Sequence, residues 1–163
     1  MSTSSLSLIH ARNLQAYFYQ ELERIARDQP MPASQDAQAY VVHLLDEYTR
    51  PSTTQRAHLG FDRAAALLLY DASHGPASAQ MEAYRNLGDA CLYHCGFFTA
   101  QLERRQMVRK QYYQRMGQQA YALLARLMRG TRSGEVFYGI FRDLAACFDD
   151  FVAALNALSA RLA

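Results

Sequence analysis

The sequence has few cysteines and no long apolar run, and each absence excludes a class of protein. Three cysteines are an odd number, which does not fit the disulfide framework of a small secreted domain, so we expect reduced thiols. The longest apolar run, residues 64–70, is far shorter than a membrane-spanning helix. The Ser-rich start lacks a basic stretch followed by an apolar one, so we predict a cytoplasmic protein without a signal peptide or membrane contact.

The sequence also lacks the alternation of apolar and polar residues that is typical of β-strands. Apolar residues instead recur three and four positions apart along almost the whole chain, which indicates helices. Half of the residues are hydrophobic and 20% are charged, the balance of a globular protein with a packed core. There is no internal repeat and no dividing linker. We therefore predict an all-α fold, a single-domain bundle of about five to seven helices over residues 1–163, with residues 1–5 flexible.

Prolines, glycines and capping residues indicate where the helices begin and end. The predicted helices cover about residues 5–27, 35–50, 54–70, 77–98, 111–129 and 134–162, and Gly96 is a kink or the end of the fourth. Ser34 is the predicted N-cap of the second helix, and residues 73–76 are a predicted turn before the fourth. Residues 99–110 form either a short helix or a connector. The last helix keeps its apolar residues in register to its end, so we predict one long C-terminal helix packed in the core.

Net charge is distributed unevenly along the chain. Residues 1–99 carry a net charge of −3 and residues 100–163 a net charge of +5. Seven arginines, one lysine and one glutamate lie within residues 103–132, together with three tyrosines. Cations interleaved with aromatic rings are typical of surfaces that bind phosphates or other acidic groups. The candidate binding residues are Arg104, Arg105, Arg109, Lys110, Tyr112 and Tyr113.

These features favour a binding protein. No helix-turn-helix, zinc-finger or RNA-recognition signature accompanies the cations, so an acidic protein is favoured over nucleic acid as the partner. Tyr17, Phe18 and Tyr19 are consecutive and cannot all point inward from one helix, and exposed aromatic residues are typical of oligomer interfaces. We therefore expect a homodimeric binding protein that uses residues 103–132 to contact an acidic partner.

Asp89 is the candidate centre of an alternative function. It lies among apolar residues, and a buried carboxylate must be neutralised or paired, so we predict an ion pair with Arg104 or Arg105. Gly88 would then allow two helices to approach closely. The alternative is a small enzyme or ligand sensor with an inter-helix pocket around Asp89, Tyr93 and His94. We favour the structural ion pair, because no second catalytic group can be identified.

Cys91, His94 and Cys95 are the weak candidate for a metal site. They lie at positions i, i+3 and i+4 of one helix, and thiolate with imidazole suits zinc. Structural zinc sites usually contain a second pair of ligands, and the sequence has no second Cys/His pair. We therefore favour buried thiols and predict neither a metal nor a cofactor.

Several short motifs between residues 87 and 121 carry a resemblance to a family. They are Leu87 to Asp89, Gly96 to Phe98, the pair Arg104 and Arg105, the pair Tyr112 and Tyr113, and then Gly117, Ala120 and Tyr121. In this pattern the chain resembles an uncharacterised family of small bacterial all-helical proteins. The resemblance implies a helical fold and brings no activity, and the cysteines and His94 occupy its variable part.

Overall fold

A computed structural model of the chain describes residues 3–28, 31–49, 74–97, 104–129, 131 and 134–162. Within these residues there are six helices and no β-strand, which confirms the all-α fold. The helices are α1 (Thr3–Asp28), α2 (Gln35–Thr49), α3 (Ala77–Gly96), α4 (Arg104–Met128), α5 (Gly134–Ala146) and α6 (Phe148–Leu162). None of the described helices is both long enough and apolar enough to cross a lipid bilayer.

Local chemistry explains several helix ends. The Ser34 hydroxyl group accepts a hydrogen bond from the amide of Ala37 at 3.2 Å, so Ser34 is the N-cap of α2, as predicted. Gly75 has a φ angle of 109°, a left-handed conformation that favours glycine, and Pro76 then leads into α3. At the end of α4 the Thr131 hydroxyl group donates to the Met128 carbonyl oxygen at 2.8 Å.

Two helix boundaries differ from the predictions, and one predicted helix lies outside the described residues. Helix α1 begins at Thr3, slightly before the predicted start. Helix α4 begins at Arg104 rather than near residue 111, so most of the segment assigned to a short helix or a connector is its first part. The predicted helix over residues 54–70 is outside the described residues.

The predicted C-terminal helix is interrupted once, at Cys147. Hydrogen bonds from the Cys147 amide to the Asp143 carbonyl oxygen (2.8 Å) and from the Phe151 amide to the Cys147 carbonyl oxygen (2.9 Å) continue the helical pattern across the break. The two halves pack on different neighbours. Helix α5 packs on α4 and α2, whereas α6 packs on α3 and α1. Their inward side chains are nevertheless buried in one core, as the predicted apolar register requires.

The core is formed by large apolar side chains from all six helices. Its most deeply buried members include Phe18, Leu45, Leu92, Leu124, Phe141, Phe148 and Leu155. Helices α3 and α4 run antiparallel, and so do α4 and α5, since contacts pair rising residue numbers with falling ones. Helix α4 is therefore held between α3 and α5, which leaves one of its sides facing solvent.

Candidate functional site

Helices α3 and α4 approach each other closely because glycines face larger side chains at their contact. A Cβ atom on Gly88 would lie 2.5 Å from the ring of Tyr121, and a Cβ atom on Gly117 would lie 2.6 Å from the Cβ atom of Cys91. A methyl group at either position would overlap its neighbour in a close-packed interior. Gly88 thus has the packing role predicted for it, and it brings Tyr121 beside Asp89.

The carboxylate of Asp89 accepts hydrogen bonds from two tyrosine hydroxyl groups. Tyr40 of α2 donates to Oδ1 at 2.8 Å and lies 3.0 Å from Oδ2, while Tyr121 of α4 donates to Oδ1 at 2.7 Å. Arg85, one turn earlier on α3, has its Nε atom 4.0 Å from Oδ2. Asp89 itself is only 8% exposed, so this cluster joins three helices inside the molecule.

The predicted ion pair of Asp89 with Arg104 or Arg105 stays a prediction. The side chains of both arginines lie outside the described residues, and the hydrogen bonds that the structure does describe come from phenols. A phenol donates a hydrogen bond without adding a charge that must also be desolvated. Two phenols can therefore satisfy a buried carboxylate where a guanidinium group would be costly to bury.

Burial raises the pKa values of the carboxyl and phenol groups in and beside this cluster. It raises the pKa of the Asp89 carboxyl group from 3.8 to about 6, while the hydrogen bonds from Tyr121 and Tyr40 and the charge of Arg85 lower it. Burial, and then the negative charge of Asp89, raise the pKa values of Tyr40 and Tyr48 above their ordinary value of 10. The phenols therefore remain protonated donors at neutral pH.

The residues of the candidate pocket, Asp89, Tyr93 and His94, contact different neighbours. Tyr93 stacks on Tyr48 with ring centroids 4.6 Å apart, and the ring of His94 lies edge-on to Tyr113 at 6.1 Å. Asp89 instead binds the phenols described above. The carboxylate thus has little free surface for a substrate, and its described contacts suit a structural role.

One surface groove, of about 290 Å³, lies between the end of α1 and the start of α2. It is lined by Tyr19, Glu23, Ala26, Arg27, Met31, Gln35 and Gln38. None of these residues belongs to the predicted pocket around Asp89.

Of the three candidate metal ligands, Cys91 and Cys95 lie in the core and His94 is half-buried. Cys91 and Cys95 are fully buried, and the Cys95 thiol donates to the Lys110 carbonyl oxygen at 3.6 Å. Burial raises the pKa of both thiols, that of Cys95 to about 12, so both are protonated at neutral pH. Across the part of the chain that the structure describes, no three His, Cys, Asp or Glu side chains are grouped to hold a metal ion.

The solvent-facing side of α4 carries positive charge. Tyr112 is 58% exposed, and Arg115 and Arg126 are exposed at helical spacings that place them on the same side. The buried side chains of Tyr113 and Leu124 lie on the opposite side. Helix α4 contains no acidic residue, and its exposed cations among the described side chains are Arg109, Arg115 and Arg126, so its outer side is positive.

The six candidate binding residues do not share one surface. Arg109 and Tyr112 are exposed, whereas Tyr113 is only 6% exposed and belongs to the core, which corrects its assignment as a contact residue. Lys110 is half-buried at the contact with α3. The side chains of the remaining two, Arg104 and Arg105, lie outside the described residues.

Four exposed arginines were missing from the candidate set. They are Arg115, Arg126 and Arg129, which follow the outer side of α4 to its end, and Arg142 on α5. A count of charge over a segment does not distinguish them from buried neighbours. The helical spacing from Tyr112 is the signal that would have selected those on α4.

Four of the residues that carry the family resemblance, Gly88, Asp89, Gly117 and Tyr121, lie at the contact between α3 and α4. Gly88 and Asp89 contact Tyr121, and Gly117 faces Cys91. Comparison of the chain with protein-family models, with curated proteins and with solved structures gave no match. The resemblance therefore stays a prediction, and the function must be argued from the surface and the buried cluster themselves.

Proposed function

We propose that this protein is a binding protein that contacts an acidic polypeptide through one positively charged surface. This basic face consists of Tyr112, Arg115, Arg126 and Arg129 from the α4 segment and Arg142 from α5. One observation carries the proposal. These arginines are all exposed on an outer side of the molecule, and that side follows α4, a helix without acidic residues.

Within the residues that the structure describes, the charges of the basic face are largely uncompensated. Among the described residues, Arg115 and Arg126 form no ion pair. On its side toward α6 the basic face is bounded by Asp149, whose carboxylate accepts a hydrogen bond from Gln114 at 2.8 Å. Exposed arginines beside an exposed aromatic ring are typical of protein interfaces.

The spacing of the arginines favours a polypeptide over nucleic acid. Arg115 and Arg126 are 11 residues apart, which is about 16 Å along a helix. A partner helix with acidic residues at the same interval would match this spacing. DNA carries a phosphate about every 3.4 Å along each strand, and proteins that bind it present a denser set of cations.

Charge removal on the basic face tests the proposal. We expect the double variant Arg115→Gln with Arg126→Gln to bind a fluorescently labelled polyglutamate peptide about tenfold more weakly than the unchanged protein, because each exposed ion pair contributes up to about 1 kcal/mol. Fluorescence anisotropy at low and at physiological ionic strength measures this change, and binding should weaken as salt is added.

The matched control removes the same amount of charge elsewhere. Arg24 and Arg27 are exposed on α1, where the structure describes a surface ion pair of each with a glutamate, so Arg24→Gln with Arg27→Gln should keep the affinity. Equal losses in the two double variants, or binding insensitive to salt, would contradict the proposal. Tighter binding of single-stranded DNA than of polyglutamate would identify nucleic acid as the partner instead.

A further inference from the structure

Two guanidinium groups from different helical segments converge on one aromatic ring. The Cζ atom of Arg129, which follows α4, lies 5.9 Å from the centroid of the Tyr138 ring, and the Cζ atom of Arg142 lies 5.7 Å from the same centroid. Both distances are within the range of cation–π contacts. One ring thus contacts two like charges at the end of the basic face.

These two charges are only partly neutralised. Arg142 lies 3.6 Å from Oδ1 of Asp143, and the other oxygen of that carboxylate accepts a hydrogen bond from the Ser34 amide at 3.0 Å. Within the described part of the chain, Arg129 forms no ion pair. Since like charges repel, an anion within reach of both groups would be stabilising.

The chemistry of the pair defines the group that it would bind. Planar guanidinium groups form paired, charge-assisted hydrogen bonds with carboxylate and phosphoryl oxygens. Stacking on Tyr138 restricts the rotamers of both arginines before a partner arrives, which reduces the entropy lost on binding. Both side chains remain accessible, since the Arg142 side chain is 64% exposed and Arg129 is exposed.

We infer that Arg129, Arg142 and Tyr138 form a subsite that binds a single oxyanion of the acidic polypeptide, a carboxylate or a phosphoryl group. This inference rests on the proposed function and adds a defined contact to it. The remainder of the basic face attracts the partner by its charge, whereas this subsite recognises one anionic group by its geometry.

A comparison of glutamine and lysine variants tests the subsite. We expect Arg142→Gln to weaken polyglutamate binding about threefold to tenfold, within the range for loss of one charged contact. Arg142→Lys keeps the charge but loses the planar pair of donors, so it should weaken binding nearly as much. Arg24→Lys is the matched control and should bind as the unchanged protein does. Circular dichroism spectra of all variants should coincide, because both positions are exposed.

Two further measurements make the outcomes distinguishable. Replacing one glutamate of the peptide with phosphoserine separates a phosphoryl-binding subsite, for which affinity rises, from a carboxylate-binding one, for which it does not. A titration with inorganic phosphate, monitored by NMR of the arginine side-chain Nε–H groups, should shift the signals of Arg129 and Arg142 together. The glutamine variants assign these signals.

The results that would overturn the subsite differ from those that would overturn the proposed function. If Arg115→Gln with Arg126→Gln loses affinity while Arg142→Gln or Arg142→Lys does not, the basic face stands and the subsite is wrong. If polyglutamate does not bind at all, the proposed function fails. In that case the phosphate titration alone decides the subsite, because unchanged signals of Arg129 and Arg142 would exclude it.

Discussion

At the scale of single residues, Asp89 shows how a charge is kept inside this helical bundle. Its carboxylate is nearly inaccessible to water, and two phenols replace the hydrogen bonds that water would donate. Each phenol comes from a different neighbouring helix. The stability of the cluster should therefore depend on the hydroxyl groups and on whether Asp89 carries its charge.

Removing one hydroxyl group measures this dependence. We expect Tyr121→Phe to lower the free energy of unfolding by about 1.5 to 3 kcal/mol at pH 7.5, the range for a hydrogen bond to a charged group. At pH 4.5 Asp89 is protonated in the folded protein, so the loss should fall to about 1 kcal/mol. Urea unfolding at the two pH values provides the measurement.

The control for this variant is the half-buried phenol of Tyr84 on α3. Tyr84→Phe removes a hydroxyl group from a side chain that is not hydrogen-bonded to Asp89, and its effect should be small at both pH values. A loss in Tyr121→Phe that is the same at both pH values would mean that the charge of Asp89 does not contribute.

At the scale of helices, the glycines on α3 and α4 determine how closely the two helices pack. Gly88→Ala should destabilise the protein by about 1 to 3 kcal/mol, because the added methyl group would overlap the Tyr121 ring by more than the helix propensity of alanine can offset. Gly139 of α5 provides a matched control, since no atom lies within 4 Å of a Cβ atom built there.

The control variant should change stability in the opposite direction. Gly139→Ala adds a methyl group in open space within a helix, so it should stabilise the protein by about 0.5 to 1 kcal/mol. Thermal unfolding of the two variants compares them directly. If Gly88→Ala were as stable as Gly139→Ala, the close approach of α3 and α4 would not depend on the missing side chain.

The helices themselves could be predicted because their signals are local. Apolar spacing and capping residues such as Ser34 depend on neighbours within a few positions, and they indicated most helix boundaries. The interruption at Cys147 could not be predicted, since it follows from the different neighbours of α5 and α6. The same limit applies wherever packing between distant helices decides the local geometry.

The candidate site was harder to predict because it depends on distant contacts and on helix orientation. Tyr40 and Tyr121 lie 49 and 32 residues from Asp89, so no short motif connects the three. Tyr112 and Tyr113 are adjacent and chemically identical, yet one is exposed and the other is buried. Only the orientation of the whole of α4 distinguishes them.

At the scale of the whole molecule, helix α4 connects the buried cluster to the basic face. Helix α4 contributes Tyr121 to the cluster on its inner side and Arg115 and Arg126 to the basic face on its outer side. The cluster fixes α4 against α2 and α3, so it also fixes the orientation in which the arginines face solvent. A change in the charge of Asp89 should therefore be detectable in the stability of the entire fold.

The sign of this effect follows from the raised pKa of Asp89. The folded protein binds the proton more tightly than the unfolded chain does, because the pKa rises from 3.8 to about 6 on folding. The stability contributed by this protonation is fully present below pH 3.8 and is lost as the pH rises through about 6. A shift of this size corresponds to about 3 kcal/mol.

The variant Asp89→Asn isolates this contribution, because the amide oxygen can still accept a phenol hydrogen bond while the side chain cannot ionise. Urea unfolding of both proteins from pH 4 to pH 7.5 should show the unchanged protein losing about 2.4 kcal/mol relative to the variant, with most of the loss between pH 4 and pH 6. The difference between the two curves is the quantity to compare, since other ionisable groups affect both equally. Parallel curves would show that Asp89 has the same proton affinity in the folded and unfolded states, which is incompatible with a buried carboxylate whose described partners are two phenols and a distant guanidinium group.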